Sequence, residues 1–182
     1  MDGNKAWHHF MTITEHKCLV MKNCFRVGLY RQGLLHDLSK YSPAEFLTGV
    51  HYYQGTRSPN AAERDEKGYS SAWLHHKGRN KHHFEYWIDF SRAKHGLAGT
   101  KMPVCYLVEM VMDRIAACRV YRGTDYTSSA AWEYYQHEEP YLTSVMHAET
   151  KAELEKILQM LRDQGEHATF AYLRKLLARG DY

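Results

Sequence analysis

Residues 104–115, VCYLVEMVMDRI, decide the fold. Val104, Leu107, Val108, Val111, Met112 and Ile115 recur at i, i+3, i+4, i+7, i+8 and i+11, which is one apolar stripe along an α-helix. Met102-Pro103 just ahead puts proline in the first turn, where its missing N–H costs nothing. Further out, Ser42-Pro43-Ala44-Glu45 reads as a capping box opening a helix to about Tyr53. Thr150-Lys151-Ala152-Glu153 reads as a second, followed by Leu154, Ile157, Leu158 and Leu161 at helical spacing. Gly165 is expected to end that helix, and Phe170, Leu173, Leu176 and Leu177 mark a last one. Trp7, Phe10, Met11, Cys18 and Met21 share one side of a helix in the first thirty residues.

No stretch alternates apolar and polar residues long enough to demand a sheet, so the chain is expected to be all-α. Its 182 residues, 44% hydrophobic, suit a single domain with its own core. That core is expected at about 1–125, with a C-terminal helical extension at about 126–182. Residues 54–69, QGTRSPNAAERDEKGY, read as a long exposed loop, and 123–129 as a second.

Composition narrows the function. Lys and Arg number 24 against 21 Asp and Glu, a net charge of +3. The pI near 8.6 falls short of the strongly basic profile of a dedicated nucleic-acid binder. A mean hydropathy of −0.61, with no apolar run near twenty residues, argues against a membrane span. The polar start, MDGNKAWHHF, has no leader-like apolar run and points to the cytoplasm. Cys18, Cys24, Cys105 and Cys118 form no CxxC pair and read as reduced thiols. Histidine, however, occurs 13 times, and that abundance directs attention to a metal site.

The informative residues are His16, His36-Asp37, His76, His82-His83 and Asp113. Imidazoles with carboxylates, and no thiolate partner, suit a divalent ion such as manganese, iron, zinc or nickel. A carboxylate has two oxygens and can bridge two ions; an imidazole cannot. If His36 and Asp37 lay on a helix, about 100° would separate them, so they would straddle an ion over its surface. Asp113 stands beside small and apolar residues, where a carboxylate is costly to bury unless a charge meets it. The stretch HHKGRNKHH (75–83) admits a rival reading as a basic patch for phosphate or RNA. Glu45 reads as the capping-box acid, and His75 as facing away from the metal.

This succession, His … His-Asp … His … His-His … Asp, resembles the HD-domain phosphohydrolase superfamily. His36-Asp37-Leu38-Ser39-Lys40 is similar to its H-D-hydrophobic-small-Lys string, and His82-His83-Phe84-Glu85 to the His-His segment of its two-metal members, the HD-GYP phosphodiesterases. HDLSKYSPAEF taken with WLHHKGRNKHHFEYW also resembles a small, uncharacterised HD-like family. The resemblance covers roughly residues 8–120 and implies a helical bundle around a metal centre. It implies one ion on His16, His36, Asp37 and Asp113, and a second on His76, His82 and His83, with Asp37 bridging. Glu85-Tyr86-Trp87 stands where HD-GYP proteins carry Gly-Tyr-Pro, so specificity for a cyclic dinucleotide is not implied.

The expected function is a phosphohydrolase, with two divalent ions (Mn, Fe, Zn, Ni or Mg) activating water against a nucleotide or other small phosphate ester. Asp37 and Lys40 are the expected catalytic residues, and Lys40, Arg79, Lys81 and Arg114 the expected phosphate contacts. The alternatives are an HD-fold di-iron oxygenase and a non-catalytic, metal-stabilised protein that contacts nucleic acid, which the modest charge disfavours. In the metal-free chain the crowded carboxylates would lack cations, so loss of Asp37 is expected to cost little there.

Overall fold

The computed structural model describes residues 3–142 and 145–182. The chain forms α1 (Gly3–Val27), α2 (Tyr30–Leu35), α3 (Pro43–Tyr52), α4 (Pro59–Lys67), α5 (Ser71–Lys77), α6 (Val104–Arg122), α7 (Ala130–Leu142) and α8 (Ala148–Arg179). Short 3-10 turns lie at Leu38–Tyr41, Phe84–Trp87 and Gly123–Asp125. A hairpin of β1 (Ile88–Ser91) and β2 (Gly96–Gly99) precedes α6, with Phe90 opposite Leu97. The fold is all-α apart from this hairpin, whose four-residue strands are too short to show an alternation in sequence.

The apolar stripe of α6 is buried as expected, and burial continues round the helix to Glu109, Met110 and Ala116. This helix is therefore central: α1, α7 and α8 pack on it. Leu107, Val111 and Ile115 lie in one cluster with Leu154, Ile157, Leu158, Leu161, Phe170, Leu173 and Leu176 of α8. Each such side chain contributes roughly 1.5–3 kcal/mol by leaving water. The segment after 126 is thus part of the core, not an appendage to it. No helix among the described residues is long and apolar enough to cross a membrane.

Several local expectations change. The expected loop at 54–69 contains α4, which opens at Pro59 and closes at Gly68 in a left-handed conformation. Its polar sequence hides it, because only Ala62 and Glu63 are buried. At residue 150 there is no capping box. Helix α8 starts at Ala148, and the Thr150 hydroxyl instead pairs with Tyr182 Oη (2.8 Å) and accepts from Met102 N (3.2 Å). Gly165 interrupts α8 with φ 74° and ψ 179°, a conformation essentially restricted to glycine. The chain resumes helix at once, so Phe170, Leu173 and Leu176 fold back into the core.

Helix α3 meets α1 through Gly49, where an added Cβ would fall 2.6 Å from Cε1 of the buried His9 ring. Gly49→Ala is expected to destabilise the protein by about 1–2 kcal/mol: overpacking costs about 1–3, and the helix-propensity gain of alanine offsets up to about 1. Adding His9→Ala should recover part of the loss in a double-mutant cycle followed by urea unfolding. Strict additivity of the two changes would contradict the contact.

Candidate metal centre

Three helices and two junctions deliver the site. Helix α1 carries His16, and α6 carries Glu109 and Asp113 one turn apart. His36 and Asp37 do not sit on a helix, so the 100° separation of helical neighbours does not apply to them. Helix α2 stops at Leu35, His36 follows with ψ 128°, and Asp37 is left-handed with φ 54° before the 3-10 turn. That break turns two chain neighbours toward one point, and aspartate is among the few residues that accept such a backbone. His76 is near the end of α5, whose start is capped by Ser70 Oγ accepting from Trp73 N (3.0 Å). The buried Glu63 of α4 in turn accepts from the hydroxyls of Ser70 (2.7 Å) and Ser71 (2.6 Å). His82 and His83 occupy the turn ahead of Phe84–Trp87.

All seven residues expected as ligands converge, in two groups that share Asp37. One is His16, His36, Asp37 and Asp113; the other is Asp37, His76, His82 and His83; within each, the ligand atoms lie within 4.8 Å of one another. Asp37 faces the groups with different oxygens. Oδ2 is 3.3 Å from His36 Nε2 and 3.7 Å from His16 Nε2, whereas Oδ1 is 3.2 Å from His76 Nε2 and 3.4 Å from His82 Nε2. Asp113 Oδ1 closes the first group, 2.9 Å from His16 Nε2 and 3.5 Å from His36 Nε2.

The Nε2 atoms of His16, His36, His76, His82 and His83 and both oxygens of Asp37 are buried without a hydrogen-bond partner. Buried polar atoms are almost always paired, and these inward-facing nitrogens and oxygens form two groups that could each hold a cation. The donor set, imidazole nitrogen and carboxylate oxygen, fits divalent zinc, manganese, iron or nickel.

Two carboxylates that sequence reasoning did not assign to the site stand behind these imidazoles. Glu109 Oε1 lies 2.9 Å from His36 Nδ1 and 3.2 Å from His82 Nδ1. Glu45 Oε2 lies 2.8 Å from His76 Nδ1, and its Oε1 lies 2.6 Å from His75 Nδ1. Asn80 Nδ2 and Ser39 Oγ also lie 3.1 and 3.2 Å from His76 Nδ1; Glu45 Oε2 is nearer at 2.8 Å and, as a carboxylate, can only accept, so it takes the Nδ1 proton. Donation of Nδ1–H to a carboxylate presents the Nε2 lone pair to a metal. Glu45 is therefore not a capping acid; no side chain caps α3. The available signal for Glu109 was its place: a lone acid inside an apolar stripe, four residues before Asp113.

Charge at the site is tightly coupled. Burial alone would lower the His36 value, but Asp37, Asp113 and Glu109 hold it well above the usual histidine range. For His76 the same opposition, mainly of burial against Asp37, also ends in an increase. Burial would raise Asp37, yet His36, Lys40 and His76 keep its carboxyl well below the ordinary value. His83 is pushed well below its ordinary value by burial and then by His82 and His76. Lys40 Nζ forms an ion pair with Asp37 Oδ2 at 2.6 Å, and its side chain is 28% exposed.

The other expected phosphate contacts have different partners. Arg79 is exposed and donates to His75 O (3.1 Å); Lys81 is exposed over the rings of Tyr86 and Tyr106. Arg114 reaches Glu138 on α7 at 2.9 Å, with its Nε left unpaired.

Residues 5–160 match the family described as "Family of unknown function (DUF5662)". No curated protein and no solved structure matches the chain.

Proposed function

The chain belongs to the DUF5662 family, whose function is unknown, and we propose that it is a metal-dependent phosphohydrolase acting on a nucleotide or another small phosphate ester. The observation that carries the reading is the pair of four-residue groups joined by opposite oxygens of Asp37, with their inward atoms unpaired. This arrangement also supports the resemblance to two-metal HD-domain phosphohydrolases.

His16, His36, Asp37 and Asp113 would hold one ion, and His76, His82, His83 and Asp37 the other. Bound there, divalent ions supply Lewis-acid polarisation of a phosphoryl group and a water acidified toward neutral pH. The chain's own residues do the rest. Asp37 fixes the relation between the two groups through a side chain that is 2% exposed. Glu45 and Glu109 hold the imidazole tautomers. Lys40, at Oδ2 of Asp37 and partly open to solvent, brings a cation to where phosphate charge accumulates. The reading assigns that role to Lys40 rather than to Arg114, which is engaged by Glu138.

The test is metal analysis of protein purified without chelator, alongside a panel of nucleotides, p-nitrophenyl phosphate and bis-p-nitrophenyl phosphate with added manganese. Hydrolysis, read as phosphate from the monoesters and p-nitrophenol from bis-p-nitrophenyl phosphate, that stops with EDTA and returns with manganese is expected. Bound metal with no turnover anywhere on the panel, but with dioxygen uptake, would overturn hydrolysis in favour of oxidation.

A further inference from the structure

We infer that Glu109 is a positioning residue common to both metal groups, so that the affinities for the two ions rise and fall together through one carboxylate oxygen. The inference rests on the metal-binding part of the proposed function and not on the reaction catalysed. His36 belongs to the first group and His82 to the second, yet Oε1 of Glu109 is hydrogen-bonded with His36 Nδ1 at 2.9 Å and lies within ion-pair distance of His82 Nδ1, at 3.2 Å. The two rings lie 4.4 Å apart between centroids, tilted by 36°. Glu109 is 5% exposed, on the same face of the central helix as Asp113, so burial limits the freedom of the oxygen to favour one ring.

Each imidazole has to be protonated on Nδ1 for Nε2 to act as a ligand, and a carboxylate oxygen accepts two such protons at once. Its negative charge also makes both rings better donors to a cation. The contrast is Glu45. Its Oε2 holds His76, a member of the second group only, and its other oxygen holds His75, which belongs to neither. The two carboxylates therefore differ in reach: Glu109 spans the groups and Glu45 serves one.

The experiment titrates metal-free wild type, Glu109→Gln and Glu45→Gln with manganese or zinc against a chromophoric chelator, with circular dichroism to verify the fold. Glu109→Gln is expected to weaken both binding events by about 10–100-fold, the usual effect of losing such a partner. Glu45→Gln is expected to weaken one event and leave the other within about threefold. A general loosening of the protein would not produce this split. If Glu109→Gln does not fold, Glu109→Asp, which keeps the charge and shortens the reach, is titrated instead and the same split decides. Wild type that binds no ion overturns the metal reading, and this inference with it. Wild type that binds two ions, with only one of them weakened at Glu109, overturns the inference alone.

Discussion

Asp37→Asn is expected to abolish phosphoester hydrolysis, by about a thousandfold or more, at least the scale seen when a principal electrostatic group is removed. The change keeps the shape, and asparagine accepts the left-handed backbone at this position. It removes the charge that both groups share, so metal binding should fail in both. Thermal unfolding gives a second readout. Wild type at a hundredfold excess over Kd should gain about 2.7 kcal/mol per ion by mass action. For a chain of this size that is about 5–10 °C per ion. The variant should gain almost nothing, and an equal gain would remove Asp37 from the ligands.

The metal-free comparison reverses what the sequence led us to expect. Asp37 does not lack cations there: Lys40 lies 2.6 Å away, and the imidazoles of His36 and His76 surround it with raised values. The carboxylate is their counter-charge. Its loss should cost the metal-free protein about 1–3 kcal/mol, less than a fully buried pair because Lys40 reaches solvent. A metal-free Asp37→Asn protein as stable as wild type would show that this counter-charge role is minor.

The double variant His82→Ala, His83→Ala should reduce bound metal from about two ions per chain to about one and eliminate turnover. It removes two of the four donors of the second group and leaves His16, His36, Asp37 and Asp113 in place. Both histidines lie in a turn, not in the helical core, so the fold should persist, and circular dichroism checks this. Plasma emission spectrometry on protein dialysed against metal-free buffer provides the count. Retention of two ions would move the second site elsewhere. Loss of both would mean that the first site does not stand without His82.

The seven candidate ligands were named from the sequence through the HD-domain resemblance, and residue type agrees with it: imidazole and carboxylate side chains carry atoms that can bind a divalent ion. The helical class was legible for a local reason, since the stripe from Val104 to Ile115 is a property of consecutive residues. What the sequence could not show depends on residues that meet only after folding. Glu109 and His36 are 73 positions apart, and Glu45 and His76 are 31; nothing local distinguishes an acid that orients an imidazole from one that caps a helix. The same holds for Arg114, whose position beside Asp113 pointed to substrate until α7 brought Glu138 to it. The assignment of one Asp37 oxygen to each group turns on a single left-handed φ between a helix end and a 3-10 turn. Residue identity determined which atoms can bind a metal. Tertiary packing decided which way they point, because orientation is set by hydrogen-bond partners and backbone angles that no local pattern encodes.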